Sequence, residues 1–141
     1  MADALAVVGD KYSLLVVREI GYGYRRFEEL AGYTGAPRDV LVSRLRRLEE
    51  IGLLERRLYS ERPPRHEYHL TEAGLELRPI VLALKEWGDR QCEPGKEPVV
   101  FQHVCGKEFH PLTVCEACRQ PVGRGELTVT GGTHPIVGDP W

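Results

Sequence analysis

The fold is decided by residues 40–70, which read VLVSRLRRLEEIGLLERRLYSERPPRHEYHL. In the first half, Leu41, Leu45 and Leu48 recur at the spacing that places side chains on one face of a helix. The opposite face is polar and bears Asp39, Ser43, Arg46, Arg47 and Glu50. The stretch therefore predicts an amphipathic helix that ends near Glu50 and presents arginines on its outward side.

The second half of the stretch predicts a β-hairpin with a basic tip. Residues 53–59 are strand-like, and residues 67–70 read as the returning strand. Between them, residues 60–65 contain two prolines and two arginines. This composition predicts a stiffened, positively charged turn.

Two further helices are predicted before this stretch. Apolar residues recur at spacings of 3, 4 and 3 from Leu5 to Leu15, so residues 3–20 read as a single amphipathic helix. A short helix is predicted over residues 26–31, followed by a glycine-rich turn. Pro37 then suits the start of the arginine-bearing helix, because its fixed φ and missing amide hydrogen cost nothing in a first turn.

A last helix is predicted after the hairpin. Thr71 is a good N-cap, Glu72 lies in the first turn, and apolar residues continue to about Gln91. The resulting order is helix, short helix, turn, helix, hairpin, helix. This is the order of a winged helix-turn-helix, an α+β fold in which the second helix of the motif enters the major groove of DNA and the hairpin follows neighbouring phosphates.

Arginine suits both contacts of such a fold, because its guanidinium meets a guanine edge or a phosphate with two parallel hydrogen bonds. The side chains expected in the groove are Arg38, Ser43, Arg46 and Arg47. Those expected on the phosphate backbone are Arg62 and Arg65 at the hairpin tip, with Arg56 or Arg57 as additional contacts.

Other roles for the arginines stay open. Arg44 lies nearer the apolar face of its helix than Arg46 does. It is a candidate DNA contact, and a role in holding the helix to a neighbouring backbone or phosphate is an equal alternative. For the whole set, the alternative is a solvated surface position or an ion pair with Glu49, Glu50 or Glu55.

The charge of the chain sets a limit on how it binds DNA. The formal net charge of −2 over 141 residues excludes binding by bulk electrostatics. Between Arg18 and His66, however, eleven arginines stand against eight acidic residues, a local net charge of +3. No membrane span or secretory signal is recognisable, so we expect a cytoplasmic protein with no membrane partner.

Five ordered segments within residues 1–90 read ALAVVGDKYSLLVVREI, RRFEEL, VLVSRLRRLEEIGLLERRLY, RPPRHEYHLTEAG and LKEWGD. Together they resemble the HxlR family of bacterial winged-helix regulators. The resemblance implies a homodimer, held by the first and last helices of the domain, on a two-fold symmetric operator in double-stranded DNA. Family members that sense oxidants have a cysteine just before the first helix. Here no cysteine precedes Cys92, which puts that mechanism in doubt for this chain.

The composition changes after the winged helix-turn-helix, which is predicted over residues 1–92. Prolines and a glycine predict a linker over residues 93–98, and residues 99–130 contain short β-like runs with cysteines. Residues 131–141 read as a tail.

The cysteine-rich segment predicts a zinc-ribbon-like structure. Zinc takes four nitrogen or sulfur ligands in a tetrahedron. The predicted ligands are His103, Cys105, Cys115 and Cys118, with His110 as an alternative to one of them. A segment of about 35 residues has too small a core to be stable alone. A metal ion that cross-links the segment would supply the missing stability.

Alternatives to zinc are ordinary reduced thiols, iron, or a redox dithiol formed by Cys115 and Cys118. Cys92, outside the cluster, is expected to be a packed thiol.

No nucleophile or phosphate-binding motif is present, and four ligands close a zinc site, so no enzymatic activity is predicted. A protein-interaction module is the remaining alternative. A further hypothesis is a small-molecule effector that binds among the aromatic residues Tyr12, Tyr22, Tyr24 and Trp87.

Overall fold

A computed structural model describes residues 1–91, 99–123, 126–128 and 130. The chain divides into two compact units, Met1–Glu93 and Pro94–Trp141. The predicted linker at 93–98, the predicted tail at 131–141 and Cys92 lie outside the described residues. No helix in the described part of the chain has the length and apolar character needed to cross a membrane.

The first unit is a winged helix-turn-helix, so the predicted α+β fold is confirmed for this part of the chain. Its elements are α1 (Ala2–Val8), α2 (Lys11–Gly21), α3 (Phe27–Thr34), α4 (Arg38–Glu50), β1 (Leu54–Glu61), β2 (Pro64–Leu70), α5 (Glu72–Leu75) and α6 (Arg78–Gln91). Helices α3 and α4 form the helix-turn-helix, and the antiparallel pair β1 and β2 forms the wing. Gly35 ends α3 in the left-handed conformation, at φ 63°, which allows the sharp turn into α4.

The core of this unit lies between α2, α3, α4 and the start of the wing. Leu41, Leu45 and Leu48 of α4 are inaccessible to solvent or nearly so, as their spacing predicts. They pack with Val16 and Ile20 of α2 and with Leu30, Ala36 and Leu54. Burial of its apolar face fixes which side of α4 points outward.

The N-terminal region differs from the prediction, because the single helix expected over residues 3–20 is two helices. The chain breaks at Gly9 and Asp10. The Asp10 carboxylate accepts hydrogen bonds from the backbone N–H of Tyr12 at 3.0 Å and of Ser13 at 3.1 Å, and also from the Ser13 hydroxyl. Asp10 is therefore the N-cap of α2.

Removing this cap should destabilise the unit. Burial alone would raise the pKa of Asp10, but its hydrogen bonds to Ser13 and the nearby Arg44 hold it below the ordinary value. A carboxyl with a depressed pKa adds stability above its unfolded pKa of about 3.9 and loses it as pH falls further. We expect Asp10→Ala to cost about 1 kcal/mol at neutral pH in urea unfolding. Asp10→Asn should keep most of the cap and lose the extra sensitivity below about pH 4; equal acid sensitivity in the natural chain and Asp10→Asn would contradict this.

The last predicted helix is also interrupted. Thr71 is the expected cap, and its hydroxyl oxygen accepts from the Gly74 N–H at 3.2 Å. Helix α5 ends at Leu75, however, and α6 begins only at Arg78, with Pro79 in its first turn. Proline has no N–H for a helical hydrogen bond, so a continuous helix through this position is disfavoured.

The wing is attached at its base to the segment before α3. Its register runs from Leu54 opposite Leu70 to Glu61 opposite Pro64, which leaves Arg62 and Pro63 as the tip. The Tyr68 N–H donates to the Arg25 carbonyl at 2.9 Å. The position of the tip is thereby coupled to the helix-turn-helix.

Candidate nucleic-acid interface and cysteine loops

The outward face of α4 is a polar, accessible surface. Its exposed members are Asp39, Val42, Ser43, Arg46, Arg47 and Glu50. This face also borders a groove of about 690 Å³ whose other side is formed by Leu5, Ala6 and Val7 of α1. Every residue predicted for the outward face of this helix is exposed.

Arg38, at the start of α4, is held by α3. Its Nη1 and Nη2 donate to the two Glu28 carboxylate oxygens at 2.8 and 2.5 Å. The guanidinium carbon lies 5.1 Å from the centre of the Phe27 ring. Arg38 is therefore oriented by contacts within the chain, and its charge is partly neutralised.

The other arginines of α4 differ in their partners. Arg46 Nε lies 3.0 Å from Glu50 Oε1, one turn along the same helix. Arg44 Nε lies 3.0 Å from Asp10 Oδ1, although that buried Nε makes no hydrogen bond. Arg44 thus ties α4 to the start of α2, and its assignment as a DNA contact stays a prediction. Arg47 forms no ion pair with any residue that the structure describes.

The wing presents two more cations without carboxylate partners. Arg62 at the tip and Arg65 in β2, opposite Ser60, are exposed and form no ion pair within the described ranges. Arg56 lies 3.6 Å from Glu49, and Arg57 is paired with Glu55. Arg56 and Arg57 thus form ion pairs with acidic neighbours, which is the alternative to DNA contact described above for the arginines.

Sequence reasoning passed over the pair of arginines before α3. Arg26 bonds through Nε to Glu67 at 3.1 Å and lies 4.7 Å from the centre of the Tyr59 ring. Arg25 is exposed beside the base of the wing. The signal was available, since the two adjacent arginines stand at the start of the predicted short helix.

Aromatic residues considered for an effector site have other contacts. Tyr12 and Tyr24 pack against the core, and Tyr24 also stacks on Tyr33 with ring centres 4.0 Å apart. Trp87 is 56% exposed on α6. These packing contacts explain the presence of Tyr12 and Tyr24 without a ligand. Binding of an effector therefore stays a prediction, and these two residues do not support it.

The second unit contains two loops with similar backbone hydrogen bonding. In the first loop, residues 102–108, the His103 N–H donates to Lys107 O and the Gly106 N–H donates back to His103 O, both at 2.8 Å. In the second loop, residues 114–121, the Cys115 N–H donates to Gln120 O at 2.9 Å and the Arg119 N–H to Cys115 O at 2.8 Å.

The two loops also share a left-handed residue directly after a cysteine. Gly106 follows Cys105 at φ 82°, and Arg119 follows Cys118 at φ 59°. This correspondence places His103 and Cys105 in the first loop where Cys115 and Cys118 lie in the second.

The thiols of the second loop are accessible and polarised. Cys105, Cys115 and Cys118 are all free and exposed. Hydrogen bonds from the backbone N–H groups of Cys118 and Ala117 lower the pKa of the Cys115 thiol, and the Cys118 side chain lies within hydrogen-bonding reach. N–H donors aimed at a sulfur favour its thiolate, the form that binds metals and reacts with oxidants.

The predicted zinc ligands are not gathered into one cluster. Among the described residues, no three His, Cys, Asp or Glu side chains are grouped closely enough to hold a metal ion. The His103 Nδ1 accepts the Cys105 N–H at 3.3 Å, and the His110 Nε2 lies 3.7 Å from Glu108 Oε1. The choice between the two histidines therefore stays open.

Comparisons with known proteins agree on the class of the first unit. The model of the HxlR-like helix-turn-helix family matches residues 7–96. An HTH-type transcriptional regulator of Mycobacterium tuberculosis, Rv3095, is 41% identical over 131 residues, which cover 92% of this chain and 83% of the relative.

Two solved structures show how far the likeness extends. PA1607, a chain assigned as a transcription factor, has a TM-score of 0.77 at 30% identity and covers 89% of each chain. The oxidised form of the redox regulator HypR has a TM-score of 0.62 at 35% identity and covers 65% of this chain and 96% of its own. The matches to Rv3095 and PA1607 extend beyond residues 7–96, so these relatives share part of the second unit.

Proposed function

The chain belongs to the HxlR-like helix-turn-helix family, and we propose from this premise that it regulates transcription by binding a two-fold symmetric DNA operator as a homodimer. Its relatives are described as transcriptional regulators, which agrees with a role other than catalysis. The observation that carries the proposal is the distribution of charge on α4 and the wing.

Cations without carboxylate partners occupy both surfaces that a winged helix-turn-helix turns to DNA. Arg47 lies on the outward face of α4, Arg62 lies at the wing tip, and Arg65 lies beside the tip in β2. In the free chain these three guanidinium groups form no ion pair with any described residue. Phosphate contacts would supply the balancing charge and release counterions, which makes binding favourable and dependent on salt.

Selection from a library of random duplexes tests this function. With the full chain, we expect enrichment of an inverted repeat whose half-sites lie about one helical turn, or 10 to 10.5 base pairs, apart. The same selection with a variant that has alanine at Arg47, Arg62 and Arg65 should enrich nothing. Failure of the natural chain to enrich any sequence would refute the proposal.

The dimer is supported by an apolar stripe on α6. Ile80, Leu84 and Trp87 are spaced by four and three residues, so they share one face, and they are 57%, 50% and 56% exposed. Leu5 on α1 is also exposed, at 58%. Large apolar side chains grouped on one helix face are typical of surfaces that a partner covers. The first and last helices are also those that the family resemblance implies for dimerisation.

Replacing one member of the stripe should weaken the dimer. We expect Leu84→Lys to shift the chain toward monomer in sedimentation equilibrium, because it places a charge in the apolar interface. Leu58→Lys is the matched control, since Leu58 is 52% exposed on the wing and should leave the dimer intact. Identical association of Leu84→Lys and the natural chain would exclude this surface as the interface.

For the second unit we propose structural zinc held by Cys105, Cys115, Cys118 and either His103 or His110. None of its described residues is buried, so it has little apolar core to stabilise it. The paired loops offer three sulfurs and an imidazole, a donor set that suits zinc, and the N–H donors at Cys115 favour the thiolate that zinc requires. Bound zinc would cross-link the two loops.

Metal content measures this proposal directly. We expect one zinc per chain by elemental mass spectrometry, retained in Cys92→Ser and lost in Cys115→Ser. Loss of the ion should also make residues 99–130 more sensitive to protease, because the cross-link would be gone. A natural chain free of metal, or a Cys115→Ser variant with full zinc, would contradict a site that includes Cys115.

A thiol sensor is the second candidate, and the adjacent exposed thiols of Cys115 and Cys118 favour it. Hydrogen peroxide would take two electrons from the two thiols, which gives one disulfide and two molecules of water. HypR, a redox regulator by its name, is similar to the first unit. Chains free of zinc in which peroxide forms a disulfide between Cys115 and Cys118 and changes DNA affinity would favour this function over structural zinc.

A further inference from the structure

A cleft of about 600 Å³ lies between the start of α3 and the part of the wing near its tip. Its walls include Arg26, Glu28 and Glu29 on the side of α3, and Tyr59 and Arg65 on the side of the wing. Glu28 also binds Arg38, the first residue of α4. The cleft therefore adjoins both surfaces that the proposed function turns to DNA.

The two carboxylates of the cleft already have donors within the chain. Both Glu28 oxygens accept from the Arg38 guanidinium. Glu29 Oε2 accepts the backbone N–H of Arg25 at 3.0 Å and of Arg26 at 2.9 Å. These hydrogen bonds lower the pKa of both carboxyl groups. Each carboxylate is thus compensated from inside the protein, and neither calls for a cationic ligand in the cleft.

The two arginines of the cleft keep donors that the chain does not use. Arg26 is oriented by its Nε hydrogen bond to Glu67 and by the Tyr59 ring, 4.7 Å from its guanidinium carbon. Its two Nη groups donate to no residue that the structure describes. Arg65 is exposed and has neither a hydrogen bond nor an ion pair within the described ranges. An anion in the cleft would accept charge-assisted hydrogen bonds from both side chains.

The position of the cleft identifies the anion as a phosphate of the DNA backbone. In a helix-turn-helix the first helix, here α3, crosses the backbone, and contacts to phosphate hold the protein in register on the duplex. The wing follows neighbouring phosphates in the same fold. A backbone phosphate that lies between α3 and the wing would enter this cleft, and its single negative charge would balance the unpaired Arg65.

We infer that the cleft binds one backbone phosphate in each operator half-site, held by Arg26 from the side of α3 and by Arg65 from the wing. The inference rests on the proposed function, to which it adds a defined phosphate site. It also gives Arg26 a role in binding besides its ion pair with Glu67.

Methylphosphonate substitution tests this site, because it removes the charge of one phosphate and keeps the backbone continuous. The selected operator is synthesised with one phosphate replaced at a time, and the full chain is titrated by fluorescence anisotropy between 50 and 200 mM salt. At one position in each half-site, the slope of log affinity against log salt should fall by about 0.9, so the loss of affinity over this range becomes about 3.5-fold smaller. Arg26→Gln and Arg65→Ala should each weaken this effect at that phosphate and at no other, and the double variant should abolish it.

Two variants serve as controls. Arg57→Ala removes an exposed arginine of the wing that does not line the cleft, so it should keep the full effect. Glu67→Gln removes the ion pair of Arg26 and leaves its guanidinium in place, so it should keep the effect as well.

The outcomes separate this site from the function on which it rests. If no phosphate loses its effect in both Arg26→Gln and Arg65→Ala, the inference is wrong while the proposed function stands. The same holds if Glu67→Gln weakens the effect as much as Arg26→Gln, because Arg26 would then act only through the ion pair. If the natural chain selects no operator, the proposed function fails and the inference fails with it.

Discussion

Replacing Arg47 with alanine should lower the affinity of the chain for its operator by about 5- to 150-fold, the range for one well-placed arginine contact. Arg47 is exposed on α4 and has no carboxylate partner among the described residues. Its guanidinium therefore breaks no existing ion pair when it binds DNA. Arg38 and Arg46 must first give up contacts with Glu28 and Glu50, which reduces what they add to binding.

Salt titration and a second arginine make this prediction specific. Arg90 is exposed in the last turn of α6, and Arg90→Ala should bind the operator like the natural chain. If Arg47 contacts a phosphate, the slope of log affinity against log salt should fall by about one and all sequences should be weakened alike. If it reads a base, preference at one position should relax. Equal affinities of Arg47→Ala and Arg90→Ala would remove Arg47 from the interface.

Leu45→Ala should lower the free energy of unfolding by about 2 to 5 kcal/mol, a large part of the stability of a small domain. Leu45 is 1% exposed at the centre of the core that joins α4 to α2 and the wing. Truncation removes buried apolar contacts and leaves a cavity. The same residue orients α4, so the variant should also bind DNA less tightly at temperatures where part of the chain is unfolded.

Urea unfolding followed by circular dichroism measures this change. Leu58→Ala is the matched control, because Leu58 is 52% exposed on the wing and its loss should cost no more than about 0.5 kcal/mol. A cost for Leu45→Ala as small as that of Leu58→Ala would mean that α4 is not anchored by its apolar face.

Patterns local in sequence predicted the recognition helix and the wing well. The spacing of Leu41, Leu45 and Leu48 is a direct consequence of helix geometry, so it identified both the buried and the outward face. The N-terminal break was missed because apolar residues keep their periodicity across Gly9. The signal for the break was Asp10 itself, an N-cap residue inside the apparent helix.

Pairing between distant residues could not be predicted from the sequence. Arg44 and Asp10 are 34 positions apart, and Arg26 and Glu67 are 41 positions apart, so nothing local connects them. Which arginines are neutralised depends on these contacts. The sequence could therefore name the arginine-bearing surfaces but could not separate Arg47, Arg62 and Arg65 from arginines already paired with carboxylates.

The central claim is that the outward face of α4 reads a specific DNA sequence. The most direct test is an anisotropy titration of the full chain, at physiological salt, against its selected operator and a shuffled duplex of equal length and composition. We predict an affinity for the operator at least about 1000-fold higher than for the shuffled duplex, the lower end for sequence-specific regulators. Equal affinities for the two duplexes would contradict the claim, because contacts to phosphate alone do not distinguish them.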